Sequence, residues 1–290
     1  MTQYLILGAG AAGISAAEAI RKLDAQGEIT LVCEERDGYY SRPGLAYLLS
    51  GEVSEGLLYP FNKADFQRLH LNLIHAQAQK ILPEQRQVVF ADGRRLGFDR
   101  LLIATGGRAV KPDLPGLTLH GVVALDSLAE TRYILRLARR GRQAVVVGGG
   151  ITALELVEGL RARGVAVTYL LRGERYWPNV LDETESRIVE ERLKHEGVRI
   201  YSHTELVEIL GRNGKVVGVR IADGRQMRCD LVGIAIGVAP RKELAEQAGL
   251  QVDKGILVDD RMQTSQADIY AAGDVAQVFD PSLGRAIVDS

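Results

Sequence analysis

Two stretches of the chain have the same order of apolar, glycine-rich and helix-forming residues. Residues 4–10 read YLILGAG and residues 144–150 read AVVVGGG, so each is a short apolar run that ends on glycine. Such a continuous run is typical of a strand buried on both faces of a parallel sheet. The alanine-rich or leucine-rich residues that follow predict a helix in each case, and Gly164 ends the second one. The pattern predicts strand, glycine turn and helix, twice.

Further apolar and polar positions predict the elements around these two units. Apolar runs at 29–33, 165–171 and 269–272 predict three more buried strands. A helix is expected over residues 182–196, with Asp182 as its N-cap, Glu185 three residues later and Gly197 beyond its end. Hairpins are expected within 87–107 and at the turn dipeptides Asn213-Gly214 and Asp223-Gly224.

The first glycine turn has the spacing of a dinucleotide-binding fingerprint. Gly8 permits a tight turn, Gly10 lets backbone amides approach a pyrophosphate, and Gly13 lets the helix pack close to the strand. The next strand ends on Glu34, 21 residues past Gly13, where this fold places an acid on the ribose hydroxyls. Three glycines alone are a weak signal, but the strand, helix and acid around them predict dinucleotide binding.

The second glycine turn keeps the fingerprint and loses the acid. Gly148 and Gly150 hold the glycine positions, and Ala153 holds the third, where this fingerprint accepts alanine. The ribose-reading position falls on Leu171, followed by Arg172 and, three residues later, Arg175. Two arginines without a carboxylate suit a 2′-phosphate and predict a preference for NADPH, or little discrimination between NADH and NADPH. Ordinary solvated arginines are the alternative interpretation.

Composition excludes several other classes of protein. Lys and Arg total 36 against 37 Asp and Glu, a net charge of −1, so no broad basic field is available for nucleic acid or an anionic membrane. No apolar run approaches the ~20 residues of a membrane helix, and we expect a cytoplasmic protein. Two distant cysteines and five scattered histidines have no metal-ligand spacing, so no metal site is expected.

The two units imply two different dinucleotides, and a flavin that takes a hydride from a nicotinamide is the economical pair. The chain resembles the FAD-dependent pyridine nucleotide-disulfide oxidoreductase superfamily, above all the rubredoxin and ferredoxin reductases and the flavin part of NADH-dependent nitrite reductases. The resemblance rests on the following segments, in this order: GAGAAG (8–13), YYSRPGLAYLLSGE (39–52), LLIATGG (101–107), VVVGGGITALE (145–155), GVAP (237–240) and IYAAGDVA (269–276).

This resemblance implies an α/β fold in which one of two Rossmann-like dinucleotide-binding domains is inserted into the other. The expected FAD domain comprises residues 1–110 and 240–290, and the NAD(P) domain comprises residues 111–239. The expected cofactors are FAD and, as co-substrate, NAD(P)H. The cofactor-binding residues expected are Gly8, Gly10, Ala11, Ala12, Gly13, Glu34, Glu35, Arg42, Pro43, Ala78, Ala104, Thr105, Gly106, Gly273, Asp274, Gly148, Gly150, Ile151, Thr152, Glu155, Arg172, Arg175 and Gly237.

The resemblance also implies catalytic positions, where the chain departs from relatives. Glu155 matches an acid near the nicotinamide; in iron-sulfur-protein reductases it pairs with a lysine that is Tyr47 here, so both are candidate catalytic residues. Pro43 stands where some disulfide reductases have a redox cysteine. Cys33 and Cys229 are interpreted as structural, so electrons are expected to leave the flavin directly.

Three functions stay open on the sequence alone. The first is an NAD(P)H oxidoreductase that passes electrons to a redox protein or partner subunit. The others are an FAD- and NAD(P)H-binding regulatory or assembly protein, and an NAD(P)H oxidase that forms peroxide. No nucleic-acid or membrane partner is expected, and a homodimer is left open. Relatives continue past the final GRAIVDS through a helix under the flavin ring and into a C-terminal interface domain. Two interpretations stay open: the sequence is part of a longer chain, or that domain is absent and a partner subunit or second copy covers the flavin ring. In either case these residues alone are expected to leave the ring partly exposed.

Overall fold

The computed structural model describes residues 1–280 and 285–288, with only the backbone of Arg285. The expectation about the end of the chain falls on residues 284–290 and thus lies partly outside this range. Contacts divide the chain into two compact units. The first contains residues 1–41, 59–108 and 238–290, and the second contains residues 42–58 and 109–237. The segment 42–58 therefore groups with the second unit, although it was placed in the range 1–110 of the expected FAD domain.

Helices separate the strands at the start of each unit, and longer runs of strands follow. The strands are β1 (Gln3–Leu7), β2 (Glu28–Cys33), β3 (Leu71–His75), β4 (Ala78–Leu82), β5 (Gln87–Phe90), β6 (Arg95–Gly97), β7 (Arg100–Ile103), β8 (Gly107–Ala109), β9 (Val122–Val123), β10 (Gln143–Gly148), β11 (Ala166–Leu170), β12 (Arg199–Tyr201), β13 (Leu206–Arg212), β14 (Lys215–Ile221), β15 (Gln226–Arg228), β16 (Leu231–Ala235), β17 (Val238–Pro240), β18 (Ile256–Val258), β19 (Ile269–Ala271), β20 (Ala276–Asp280) and β21 (Arg285–Ile287). The helices are α1 (Ala11–Leu23), α2 (Gly44–Ser50), α3 (Lys63–Arg68), α4 (Leu128–Leu137), α5 (Ile151–Ala162), α6 (Glu183–His195) and α7 (Glu243–Gln247).

The first unit is built on a parallel sheet with the strand order β3-β2-β1-β7-β19. Along β1 the side chains alternate between two cores, with Leu5 and Leu7 in one and Ile6 in the other. Because both faces are covered there, residues 5–7 are all apolar and buried, as the sequence pattern predicted. The expected hairpin within 87–107 forms from β5 and β6, and β4 adds a third antiparallel strand.

The second unit repeats this arrangement with the strand order β12-β11-β10-β16-β9, again parallel. Along β10, Ala144 and Val146 face one core while Val145 faces the other. In each sheet the central strand is flanked by the strand that follows its helix and by a later strand. The glycine turns after β1 and β10 therefore lie where the chain order reverses, the position at which open parallel sheets bind ligands.

The local sequence signals of the second unit are confirmed. Asp182 caps α6 through a reciprocal capping box with Glu185, and Gly197 follows the helix in the left-handed conformation. Asn213 and Gly214 both have positive φ in the turn between β13 and β14, as a two-residue hairpin turn requires. Within the described residues, no helix is long and apolar enough to cross a membrane.

Candidate functional site

The first glycine turn is built so tightly that it excludes any side chain at Gly8. This residue has a φ of +116°, and a Cβ placed on it would lie 2.1 Å from the carbonyl oxygen of Ala104. A Cβ on Gly13 would lie 1.9 Å from the carbonyl oxygen of Gly8. Both approaches are far inside van der Waals contact, so the first and third glycines of the fingerprint are required by the backbone itself. They bring α1 directly against the end of β1.

The second glycine of the first turn has a different environment. Gly10 is the N-cap of α1 and has no side chain to bond the helix amides, and no atom lies within 4 Å of the position of a Cβ on it. The first amides of the helix, including those of Ala11 and Ala12, have no acceptor within the helix. Open space in front of unpaired amides at a helix N-terminus fits a pyrophosphate. These residues therefore fit the ADP half of FAD.

Residues from distant parts of the first unit meet at the same turn. A Cβ on Gly273, whose φ is +77°, would lie 3.0 Å from the Cβ of Ala12. The Cβ of Asp274 lies 3.8 Å from the position of a Cβ on Gly107. The exposed Asp274 and the segment 104–107 thus both lie close to the start of α1. The structure brings together these motifs, which the sequence separates by more than 160 residues.

Arg241 is a residue of this site that the sequence reasoning missed. Its guanidinium lies 3.5 Å from the carboxylate of Glu34, and its Nε donates to the carbonyl oxygen of Gly107 at 3.1 Å. Its backbone N–H also donates to Gly106, and its carbonyl oxygen accepts from the Thr105 hydroxyl at 3.3 Å. The cation therefore links the strand-end acid to the turn at 105–107. The available signal was its position directly after the GVAP motif.

The other residues expected near FAD in this unit lie on neighbouring strand ends. Glu35 follows β2, and its carboxylate accepts a hydrogen bond of 2.6 Å from the hydroxyl of Tyr40. Ala78 is the first residue of β4, just after Ala76, whose N–H donates to Cys33 at the end of β2. Glu35 is thus hydrogen-bonded to a side chain of its own loop. The cofactor contacts of Glu35 and Ala78 stay predictions.

The second glycine turn has the same backbone architecture as the first. Gly148 has a φ of +154°, and a Cβ on it would lie 2.0 Å from the carbonyl oxygen of Ala235. That Cβ would also lie 2.9 Å from the Cβ of Ala153. The missing side chain at Gly148 therefore leaves room for the methyl group of alanine at the third position. Gly150 caps α5 without a side-chain hydrogen bond. The exposed Ile151 and the half-buried Thr152 begin the helix. This turn therefore fits a second pyrophosphate.

The two arginines beyond β11 differ in their partners. Arg172 is exposed and forms no hydrogen bond or ion pair with the described part of the chain. Arg175 pairs with the carboxylate of Glu174, and its Nε is buried without a hydrogen-bond acceptor among the described residues. Leu171 itself is only 1% exposed. Arg172 is therefore the available cation at this strand end, because Arg175 is partly neutralised by its neighbour.

The segment 42–58 is held on the second unit by arginine contacts. Arg163, the C-cap residue of α5, donates to the carbonyl oxygens of Leu49 at 2.7 Å and Leu48 at 2.9 Å. Arg42 donates to the carbonyl oxygen of Asp126 at 2.5 Å. Glycine at 159 permits the close packing, because a Cβ there would lie 2.5 Å from the side chain of Leu49. The helix α2 is therefore packed on α5.

The predicted residues Pro43, Tyr47 and Glu155 consequently belong to one unit. Pro43 is the exposed N-cap residue of α2, and Tyr47 in α2 is 53% exposed. Glu155 lies one turn into α5, the helix against which α2 packs. Gly237, with a φ of +138°, lies at the other end of this unit's chain, and its carbonyl oxygen accepts from Val110.

Glu155 is a half-buried acid without a cationic partner among the described residues. Burial, and then the charge of Glu158 one turn later, raise the pKa of its carboxyl group. The nearby Tyr176 hydroxyl is buried without a hydrogen bond to the described chain, and burial and the charges of Glu158 and Glu155 raise its pKa to about 12. A carboxyl group whose pKa is raised by burial near the start of a helix is a candidate functional residue.

The cysteines are placed as structural residues. Cys33 is buried at the end of β2, where its thiol donates to the carbonyl oxygen of Glu35 at 3.0 Å. Cys229 is buried, and burial raises the pKa of its thiol to about 12. A thiol that stays protonated is a poor nucleophile and redox group. Within residues 1–280 and 285–288, no group of three metal-ligating side chains has the geometry of a metal site.

A matched pair of substitutions separates the structural glycine from the binding glycine. We expect Gly8→Ala to prevent stable folding, because the new Cβ would overlap the Ala104 carbonyl oxygen. Gly10→Ala should keep the thermal stability of the FAD-free protein, since its Cβ enters open space, and should weaken FAD binding at least tenfold. Thermal denaturation and flavin titration measure the two effects. Equal FAD affinity in Gly10→Ala and the parent would contradict this assignment.

The raised pKa of Glu155 predicts a pH-dependent cost in stability. The native carboxyl keeps its proton to a higher pH than the same group in the unfolded chain, so stability is lost as pH rises above the ordinary value of 4.5. We expect Glu155→Gln to be more stable than the parent at pH 8, with a smaller difference at pH 5. Urea denaturation at both pH values measures this, with the exposed Glu191→Gln as control. A difference that does not grow with pH would refute the prediction.

Comparisons with known proteins agree with this architecture. A family model described as pyridine nucleotide-disulphide oxidoreductase matches residues 2–288. The rubredoxin-NAD(+) reductase of Pseudomonas putida is 32% identical over 274 residues, which cover 94% of this chain and 71% of that protein. The ferredoxin--NAD(+) reductase component of the biphenyl dioxygenase system of Paraburkholderia xenovorans (strain LB400) is 34% identical over 273 residues, which cover 93% of this chain and 66% of that protein.

A solved structure shows the same fold over the whole chain. The reductase in the covalent putidaredoxin reductase-putidaredoxin complex superimposes with a TM-score of 0.94 at 30% identity, covering 100% of this chain and 71% of that one. The expected resemblance and fold class are confirmed. With two glycine turns on two parallel sheets and a family match over residues 2–288, the chain belongs to the pyridine nucleotide-disulphide oxidoreductase family.

Proposed function

We propose that this chain binds FAD at the first glycine turn and NAD(P)H at the second, and passes electrons from NAD(P)H to a redox protein or partner subunit. The proposal rests on the equivalence of the two turns. Each follows the central strand of a parallel sheet, and in each a glycine N-cap leaves the first amides of the next helix without a side-chain hydrogen bond. Family membership supports FAD and NAD(P)H as the two dinucleotides. When bound, FAD accepts a hydride from the nicotinamide and can pass the electrons on.

The residues of the first unit would hold FAD mainly by its ADP half. The amides at the start of α1 would bind the pyrophosphate, and Glu34 would accept hydrogen bonds from the ribose hydroxyls. Arg241 orients Glu34 through its ion pair. Asp274, which follows the left-handed Gly273 beside Ala12, would accept hydrogen bonds from the ribityl hydroxyls next to the pyrophosphate.

The second unit would position the nicotinamide. The α5 amides would bind its pyrophosphate, and Glu155, one turn later, would hold a proton or accept from the carboxamide. The resemblance to iron-sulfur-protein reductases implies that Tyr47 replaces a lysine that would pair with this acid. Glu155 therefore has no ion pair to lower its pKa, which stays raised. Neither residue needs to form a covalent bond in a hydride transfer.

Electrons would then leave the flavin without a thiol step. Cys33 and Cys229 lie in different units, and neither has the properties of a redox thiol. Redox proteins are the acceptors named for the rubredoxin and ferredoxin reductases to which this chain is similar. An iron-containing carrier or a partner subunit is therefore the proposed acceptor. The homodimer, the cytoplasmic location and the absence of nucleic-acid and membrane partners stay predictions.

An anaerobic reduction followed by acceptor trials tests this function. The FAD-loaded protein should lose its absorbance near 450 nm with one equivalent of NADH or NADPH, and Cys33→Ser with Cys229→Ala should do the same at an unchanged rate. Reoxidation should be faster with a rubredoxin or ferredoxin than with oxygen. Rapid oxygen consumption without a carrier would support an oxidase instead. Slow reduction with a long-lived charge-transfer band would support a binding or assembly role.

Arg172 should decide the preference between the two reductants. Its guanidinium is exposed at the end of β11 with no partner in the described chain, so it can bind a 2′-phosphate. We expect Arg172→Gln to lower kcat/KM for NADPH about tenfold, or ~1.4 kcal/mol, and to leave NADH unchanged. The exposed Arg187→Gln is the matched control. A parent enzyme that prefers NADH more than tenfold would show that this site does not select NADPH.

A further inference from the structure

Trp177, the single tryptophan of the chain, lies against the second glycine turn. Its backbone N–H donates to the carbonyl oxygen of Gly149 at 2.9 Å. Its indole Nε1 is 3.9 Å from the position of a Cβ on Gly150 and is the nearest atom to that position. Gly150 is the N-cap of α5, so the indole nitrogen lies beside the start of the helix whose first amides have no side-chain cap.

The backbone around Trp177 holds the ring in this place. Its φ is +46°, in the left-handed region that bulky residues rarely adopt and that persists only when the surroundings require it. The preceding Tyr176 is buried, with its N–H bonded to Glu190 at 2.9 Å and its carbonyl oxygen bonded to the Ser186 hydroxyl at 2.7 Å. The carbonyl oxygen of Trp177 accepts from Leu181 at 2.9 Å. Contacts on both sides thus hold the indole at the turn.

The indole donor has no acceptor in the described part of the chain. The Trp177 ring is partly buried against the core of the second unit, yet its N–H forms no hydrogen bond there. Its nitrogen is not among the buried polar atoms that lack a partner, so the N–H lies at the accessible edge of an otherwise packed ring, where a ligand can reach it. The indole N–H and the first amides of α5 are hydrogen-bond donors without partners in the described chain, and they lie beside each other. Several donors close together can bind an anion.

We propose that the Trp177 indole N–H donates a hydrogen bond to the pyrophosphate of NAD(P)H at the start of α5. This inference rests on the proposed function of the second turn and adds a binding residue to it. Since the pyrophosphate is common to both reductants, Trp177 strengthens the binding of NADH and NADPH alike. It is independent of Arg172, which would read only the 2′-phosphate.

Calorimetry with ADP-ribose and the FAD-loaded protein tests the proposal without turnover. ADP-ribose carries the pyrophosphate and cannot reduce flavin. Because Trp177 is the single tryptophan, its emission reports this site alone. We expect ADP-ribose to change that emission saturably and adenosine to leave it unchanged. Trp177→Phe keeps an aromatic ring and removes the N–H, so it should weaken ADP-ribose binding about tenfold, or ~1.4 kcal/mol.

Kinetics with the same variants give a second measurement. Trp177→Phe should raise KM for NADH and NADPH by the same factor of about ten and leave kcat unchanged, while Val180→Ala, an exposed position in the same loop, should match the parent. Unchanged ADP-ribose affinity in Trp177→Phe, with flavin still reduced by NADH, would overturn the role of Trp177 alone. A parent that binds no ADP-ribose and is reduced by neither nucleotide would overturn the proposed function together with it. Tryptophan-dependent ADP-ribose binding without flavin reduction would support Trp177 and refute only the hydride transfer.

Discussion

The close approach of a carbonyl oxygen to a glycine Cα, made once in each unit, is the constraint on which the rest of the structure depends. Ala104 follows β7 and Ala235 ends β16, and their carbonyl oxygens occupy the space that a side chain on Gly8 or Gly148 would need. The approach lets a later strand pair directly with the central strand at its carboxyl end. The helix then starts next to the gap between the two strands, and its amides point into open space. A side chain at either glycine would separate strand from strand and remove the site.

Once the two turns are equivalent, the difference between the two sites lies in the residues beyond the second strand of each sheet. In the first unit an exposed acid, Glu34, directly follows this strand, and the guanidinium of Arg241 from a distant loop lies 3.5 Å from it. In the second unit the buried Leu171 stands at this position, and Arg172 follows it. Because the backbone is shared, ligand preference can change with these few side chains alone. This separation of a fixed pyrophosphate site from a variable ribose site explains how one chain can bind two dinucleotides.

The sequence predicted the parts whose causes are local, and missed those whose causes are distant. The glycine turns, the capping box of α6 and the hairpin at Asn213-Gly214 follow from residue type at fixed spacing, and the structure confirms them. Arg241 could not be recognised as a partner of Glu34, because 207 positions separate them and surface arginines are common. The grouping of residues 42–58 with the second unit depends on side chains that bond backbone carbonyls, as Arg163 does with Leu49. Every residue has a backbone carbonyl group, so the residue type does not show which carbonyl accepts such a hydrogen bond.

Two acids on α5 lower the stability of the second unit at neutral pH. Glu155 and Glu158 lie one turn apart on α5, and the pKa of each is raised first by partial burial, with Glu196 and Glu52 adding to the effect at Glu158. Arg192 partly offsets this at Glu158, whereas no cation in the described chain acts on Glu155. The dense core beneath α5, in which Leu156, Val157 and Leu160 are fully buried, is the part of the unit able to offset the cost. A lysine partner would lower the pKa of such a carboxyl group, so an acid without an ion pair binds its proton more readily. The stability given up on this helix is therefore consistent with an acid that must respond to the bound nicotinamide.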